Sequence, residues 1–381
     1  MKAVSLLMLT TLFGLFLVEA LVRFLLPQTL TVPWADQMNG VLAPRPNVQG
    51  REFVPDTYDV TISFSPQRFR GPQEYSTQPG AGVIRLALLG DSVTFGNGAN
   101  DNQTYPFQLQ SILQERLART SRLGVLEVIN AGIGGTGTAE QALWYENWVK
   151  QFHPQLVVLN IFCNDVDGDL GSGLFTVGAN GQASPTSTDL LMPSAQRFRL
   201  LQNLIGHSPG YAWLAQHSHA FNLLRIAIGA VIDRSRRAAL SSLSSSIDTR
   251  SDELFRRHGL ALMAGEVMWL EQRVSGEGAR LAVTFVPCRE SVYPSQVPWA
   301  AAVAWKSPAM VERLQELSSR ENIPFADLTP PVRERARRIN EPLYYNGRLD
   351  THPTPTGYRV IAELVAQFLF EKELIRVPTE H

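Results

Sequence analysis

Apolar positions fall along this chain in three rhythms, and each rhythm predicts a different kind of element. After Met1-Lys2 the run AVSLLMLTTLFGLFLVEALVRFLLP is apolar on every side until Glu19 and Arg23 interrupt it. As a helix it reaches about 36 Å by residue 26, against a hydrocarbon thickness of about 30 Å, so it is long enough to cross a bilayer. A second rhythm is the short apolar run stopped by Gly or by polar residues: VIRLALLG (83–90), VLEVIN (125–130), LVVLNI (156–161), LAVTFV (281–286) and IPFAD (323–327). Such runs are too short for helices and too continuous for one-sided strands, which predicts strands buried on both faces of a parallel sheet. Between them apolar residues recur at helical spacing near 103–119, 139–148, 260–273, 308–320 and 355–371. Strands alternating with helices predict an α/β fold, a three-layer α/β/α sandwich around a mostly parallel sheet.

The remaining segments set the domain limits. Residues 1–26 are a membrane anchor or signal segment, and no small-x-small cleavage site before Arg23 favours the anchor. Lys2 ahead of the run places the amino terminus in the cytoplasm and the body in the periplasm or outside the cell; secretion after signal cleavage is the alternative. Residues 27–80, rich in Pro, Asn and Gln, are expected to be a connector with a small decorating strand at 58–64 (YDVTISF). The main body spans 81–375 with an insertion at about 168–258. Within that insertion, 168–188 is expected to be a surface loop. The apolar stretch 219–232 is too short to cross a membrane and is expected to be a buried or lid helix.

Composition narrows the chemistry. With 34 Lys+Arg against 35 Asp+Glu and no basic block, nucleic acid is not an expected partner. Two cysteines, Cys163 and Cys288, build neither a disulfide scaffold nor a four-thiolate metal site. His217 and His219 lack a companion acidic or thiolate set, so no metal and no cofactor is expected. The glycines at 132, 134, 135 and 137 lack the G-x-x-x-x-G-K-[ST] pattern of a phosphate loop.

Ligands of open α/β sheets bind beyond the carboxyl ends of the strands, and three polar turns fall there: Gly90-Asp91-Ser92, Gly134-Gly135-Thr136 and Asn164-Asp165. A serine at a strand-to-helix junction presents its oxygen beside backbone N–H groups, the arrangement of a nucleophile with an anion hole. Ser92 N–H, Gly135 N–H and the Asn164 amide are the candidate donors. A serine needs a base, and His352, in the turn RLDTHPTPTGYR, stands two residues after Asp350, which can hold the ring's tautomer. The competing reading is that Asp350 or Thr351 only caps the turn and His352 is a surface residue. Asp91 and Asp165 are read as structural, ordering the turns beside the site. Cys163 is read as a small buried hydrophobe.

These blocks resemble those of the SGNH hydrolase superfamily, the GDSL-like lipases and esterases. Gly90-Asp91-Ser92-Val93-Thr94-Phe95-Gly96 resembles the first block, Asn130-Ala131-Gly132-Ile133-Gly134-Gly135-Thr136 the second, Asn164-Asp165 the end of the third, and Asp350-Thr351-His352-Pro353 the last. The resemblance covers about 83–165 and 281–370. It implies a flavodoxin-like fold, a Ser92-His352-Asp350 triad, an oxyanion hole of Ser92, Gly135 and Asn164, and hydrolysis of carboxylic esters through an acyl-enzyme without a cofactor. Two departures stand out. Cys163 occupies the place where many members carry Gly, and one residue rather than two separates Asp350 from His352, a variant associated with membrane-anchored and acyl-transferring relatives. The expected substrates are small-molecule, lipid or glycan esters, with O-acyl groups of the cell envelope plausible from location alone. Acyl transfer at the same site is one rival, and a non-catalytic envelope protein that binds glycan or a partner is another. The oligomeric state is not legible.

Overall fold

Helix α1 (Lys2–Leu25) stands out from the body: none of its side chains is buried, and its mean hydropathy reaches 2.1. The protein is described by a computed structural model over residues 2–119, 125–178, 182–186, 208–240, 252–297, 300–346 and 351–375. After α1 the expected connector carries more structure than one strand. Two antiparallel hairpins form, β1 (Ala35–Met38) with β2 (Val41–Pro44) and β3 (Gln49–Val54) with β4 (Tyr58–Ser63). Val60, Ile62 and Phe64 alternate inward along the second hairpin and bury themselves against Phe95, so this segment is part of the core.

The five apolar runs are the strands of one parallel sheet. They are β5 (Val83–Gly90), β6 (Val125–Asn130), β7 (Leu156–Phe162), β10 (Arg280–Val286) and β11 (Phe325–Asp327), in the spatial order β11-β10-β7-β5-β6. The chain starts in β5, goes to one side for β6, then crosses back for β7. The order therefore reverses between β5 and β7, which opens a crevice at their carboxyl ends. Alternation divides each strand between two cores. Ala87 and Leu89 face one layer of helices, α4 (Thr138–Asn147), α8 (Leu260–Gly276) and α9 (Lys306–Glu321), while Leu86 and Leu88 face α3 (Tyr105–Arg119), α10 (Thr329–Arg338) and α11 (Pro355–Glu371). That is the expected α/β/α sandwich.

The region after β7 departs from expectation. What was read as a loop begins with α5 (Asp165–Ser172) and continues into a small hairpin, β8 (Phe175–Val177) with β9 (Ala183–Pro185). The run DVDGDLGS has little apolar periodicity, and its helix is fixed instead by tertiary contacts: Asp165, Val166 and Asp169 are buried. Further on lie α6 (Pro209–His217) and α7 (His219–Leu240), and α7 is in contact with α1. The segment 219–232 is helical as expected but not buried, since Leu224, Ile226 and Ile228 are more than half exposed.

Candidate active site

Strand β5 ends at Gly90, and the next residue turns the chain into a single helical turn, α2 (Ser92–Phe95). Asp91 makes that turn by accepting a hydrogen bond from the Val93 N–H at 2.9 Å. Ser92 and Asp91 are both buried. The Ser92 Oγ lies 2.8 Å from Nε2 of His352 and donates to Oδ2 of Asp91 at 3.0 Å. One hydroxyl proton thus has two acceptors within reach.

His352 arrives from the far end of the chain on a segment folded back on itself. Tyr344 bridges Pro353, the Tyr345 N–H donates to the His352 carbonyl at 2.9 Å, and the Thr354 N–H donates to the Leu343 carbonyl at 2.9 Å. The Thr354 hydroxyl donates to the Pro342 carbonyl and accepts from the Gly357 N–H, capping α11. Backbone pairs on one side and a helix cap on the other therefore hold the imidazole where Ser92 can meet it. Asp350 lies outside the described residues.

The second polar turn follows β6. Gly132 packs on the backbone of Thr94 and Phe95, leaving no room for a side chain, which brings this turn against the serine turn. A Cβ on Gly134 would lie 3.9 Å from the Ser92 Cβ, and Gly135 beside it is exposed with φ +80°, a conformation suited to glycine. Asn164, between β7 and α5, is exposed and lines a cleft of about 590 Å³ together with Cys163, Cys288, Val303, Lys306 and Arg333. Ser92, His352 and the Gly134-Gly135 turn thus meet at the carboxyl end of β5, and Asn164 follows the carboxyl end of the neighbouring β7, on the wall of the cleft.

Buried acids surround this crevice. Burial raises the Asp91 carboxyl above the ordinary carboxylate range, with the nearby His352 pulling the other way. Asp165 accepts from the Phe162 N–H at 3.2 Å and from the Gln141 amide at 3.4 Å, and burial holds it well above its usual range, with Asp91 adding to the effect. Behind it Asp169 accepts from the Ala139 N–H at 2.9 Å and is pushed up to about 7, chiefly by burial. Glu266, buried beside it, is raised well above the ordinary carboxylate range by burial, with the charges of Asp169 and Asp165 adding to the effect. Burial likewise pushes the Cys163 thiol well up, and its hydrogen bond to Cys288 draws the latter down. Cys163 is partly exposed at the cleft wall rather than fully buried, and it carries a thiol, not a thiolate, at neutral pH.

Two residues near the site escaped sequence reading. Trp34, on the segment leading into the first hairpin, stacks near Phe64 and Phe95 and covers Gly134. Nothing in its local sequence points there. Asn160 sits inside β7, accepts from the Tyr105 and Thr284 hydroxyls at 2.7 Å each, and donates to the Leu89 carbonyl at 2.8 Å. It ties β5, β7 and β10 together one step below the crevice. The signal was present: a lone amide in the otherwise apolar LVVLNI.

The chain from residue 88 to 360 matches the model of the GDSL-like lipase/acylhydrolase family. No curated protein matches it. Among solved structures it is similar to a lipase/acylhydrolase from Enterococcus faecalis, at 13% identity and a TM-score of 0.40, over 78% of this chain and 100% of that one. A two-domain esterase active on acetylated mannans is similar at 13% identity and a TM-score of 0.40, over 78% of this chain and 52% of that one. An acetyl xylan esterase is similar at 13% identity and a TM-score of 0.37, over 76% of this chain and 99% of that one. The family match runs from the strand that delivers Ser92 into the helix that follows His352, and the chain belongs to the GDSL-like lipase/acylhydrolase family of hydrolases.

Proposed function

We propose that the protein is a serine esterase that cleaves carboxylic esters through an acyl-enzyme on Ser92. The observation that carries this reading is the 2.8 Å approach of His352 Nε2 to Ser92 Oγ at the reversal of the sheet. Neutral His352 takes the Ser92 proton as Oγ attacks the ester carbonyl carbon. The oxyanion is held by the N–H groups of Ser92 and Gly135 and by the Asn164 amide. His352 then gives its proton to the departing alkoxide. Water, deprotonated by the same ring, attacks the acyl-serine and releases the acid, returning the proton to Oγ. Asp350, two residues before His352, is assigned to hold the ring's tautomer and to stabilise the imidazolium. The cleft beside Asn164, walled by Val303, Pro308 and Val311 and edged by Lys306, Glu290 and Arg333, takes a part of the substrate that is apolar with a polar end.

Helix α1 is assigned as a retained anchor rather than a cleaved signal. Glu19 accepts hydrogen bonds from the Ser218 hydroxyl and from the His219 and Ala220 N–H groups at 2.8–3.1 Å, and Arg23 donates to the His217 carbonyl at 2.7 Å. A cleaved signal would take a cap of the folded body with it. Retention puts the site close to a membrane surface, where acyl groups on envelope glycans or lipids are within reach, and exclusion of water by a bound sugar acceptor would turn hydrolysis into acyl transfer. The test is release of p-nitrophenol from acetate through octanoate esters by the full chain in detergent, with S92A and H352A in parallel. Turnover lost in both folded variants supports the esterase; equal rates in all three proteins refute it.

A further inference from the structure

Helix α7 is built inside out for a helix on the surface of a soluble body. Between Phe221 and Ala230 its polar side chains face inward: the Asn222 amide donates to the Ala215 and Ser218 carbonyls at 3.0 and 2.8 Å, and the Arg225 guanidinium reaches the Tyr211 and Thr31 hydroxyls. Asn222 is fully buried. Every exposed residue in that stretch is apolar: Leu224, Ile226, Ala227, Ile228 and Ala230. Leu224, Ile226 and Ile228 are 59%, 51% and 52% exposed. At 100° per residue these five cover roughly half the circumference, a far wider apolar face than scattered surface hydrophobics give.

What covers that face is indicated by its neighbour. The start of α7 is joined to α1 through Glu19, which accepts from Ser218, His219 and Ala220, and the Gln28 N–H donates to His219 Nδ1 at 2.8 Å. The outward face of α7 thus begins beside α1, most of whose apolar side chains are exposed. Glu19 stands six residues from the end of α1, about 9 Å along its axis, so α7 begins near the level at which α1 leaves the hydrocarbon. The apolar stretch 221–232 is about 18 Å long and contains Asn222 and Arg225, too short and too polar to cross. Trp213 on α6, 60% exposed beside the same junction, is the aromatic residue favoured at a membrane–water boundary.

We propose that α7 is an interfacial membrane helix, with its Leu224–Ile228 face bedded in the leaflet from which α1 emerges. The bilayer is thereby held at two places, one spanning and one lying flat, and the body is seated on the membrane instead of swinging from a single helix. This inference rests on α1 being retained, and is independent of the ester chemistry.

The test uses the full chain in vesicles of phosphatidylethanolamine and phosphatidylglycerol. Leu224→Cys, Ile228→Cys and the exposed control Ser319→Cys are each labelled with an environment-sensitive fluorophore in a C163S/C288S background. Expected is blue-shifted emission at 224 and 228, quenched by lipids brominated on their acyl chains, from a depth of about 5–10 Å below the headgroup boundary. The label at 319 should show neither. Water-like emission at 224 and 228 overturns the proposal. Blue-shifted emission that brominated lipid leaves unquenched also overturns it, since a protein surface or a second copy then covers the face. If the double-serine background fails to fold, benzoylphenylalanine at 224 and 228 in the chain with both cysteines reads the same contact: lipid adducts are expected, and protein adducts alone or none overturn it. Intact mass of the membrane-purified chain separates the two readings. Loss of residues 1–26 refutes the anchor, whereas water-like probes on a chain that keeps them refute only the interfacial helix.

Discussion

Asn164 is exposed at the mouth of the crevice, whereas Asp91 and Asp165 beside it are buried. Substitution of these three side chains therefore tests different things. The Asn164 amide faces the cleft and has its proposed use only when charge develops on a substrate oxygen, so Asn164→Ala should leave the melting temperature unchanged. It should lower kcat about 100-fold or more, with KM much less affected, the usual loss when one oxyanion donor is removed. Unchanged kcat on p-nitrophenyl butyrate would remove Asn164 from the site. Asp91 differs because it accepts from Val93 and from Ser92 at once, and burial raises its carboxyl toward the neutral form. Asparagine keeps its oxygen on the Val93 N–H and can turn its amide toward Oγ, which leaves the serine proton for His352. Asp91→Asn is accordingly expected to keep turnover within about tenfold of the native enzyme, or ~1.4 kcal/mol. A loss as deep as that of N164A would give Asp91 a role that requires its charge.

Helices α4, α5 and α8 meet behind the site over three acids, Asp165, Asp169 and Glu266, all buried. Asp169 rises from 3.8 to about 7, and Glu266 is raised well above its ordinary value, both chiefly by burial. Folded protein therefore holds more protons than unfolded chain from about pH 4 to 7 and beyond. Stability is fully present below pH 4 as far as these groups are concerned, and falls as pH rises through that window. Protonation removes the Glu266 charge that burial and the nearby Asp169 disfavour, and glutamine is neutral at every pH, with no proton to lose. Glu266→Gln should flatten the decline of Tm between pH 5 and pH 8 and raise Tm at pH 8 by about 2–4 °C, the shift that ~1 kcal/mol produces in a large domain. Parallel pH curves for the two proteins would exclude Glu266 from this linkage. The same elements mark how far sequence reading reaches. The five sheet strands and α11 were legible because continuous apolar runs and a Thr-Pro start leave few alternatives. Helix α5 was not, since DVDGDLGS is held by Asp165 and Asp169 reaching donors on β7 and α4, contacts that no local pattern records. The serine and histidine turns could be read as motifs, but Trp34 over Gly134 could not, because it arrives from a hairpin nearly sixty residues before the serine.

At the scale of the whole molecule, one carboxylate accepts most of the hydrogen bonds between α1 and the 208–240 helices among the described residues. Glu19 and Arg23 pair within α1 at 3.0 Å, and Glu19 then satisfies the hydroxyl of Ser218 and the first N–H groups of α7. This is an N-cap supplied from another helix, placed where a carboxylate also meets the positive end of the α7 dipole. It explains why an acid is tolerated so close to the hydrocarbon: its charge is used. Sequence periodicity locates the apolar residues of 219–232 but not which side turns inward, so it leaves a buried helix and a lid helix both open. Here the inward side is chosen by Asn222 and Arg225, whose partners are the Ala215 carbonyl and the hydroxyls of Tyr211 and Thr31. Glu19→Ala in the full chain should therefore leave α1 in the membrane, since the change only makes it more apolar. Loss of the cap should cost ~1 kcal/mol at the first turn of α7, which corresponds to about fivefold faster amide exchange at residues 219–222. Exchange across β5 and β7, remote from this junction, should not change. Equal exchange at 219–222 in both proteins would mean that α1 and α7 do not share this cap in the membrane.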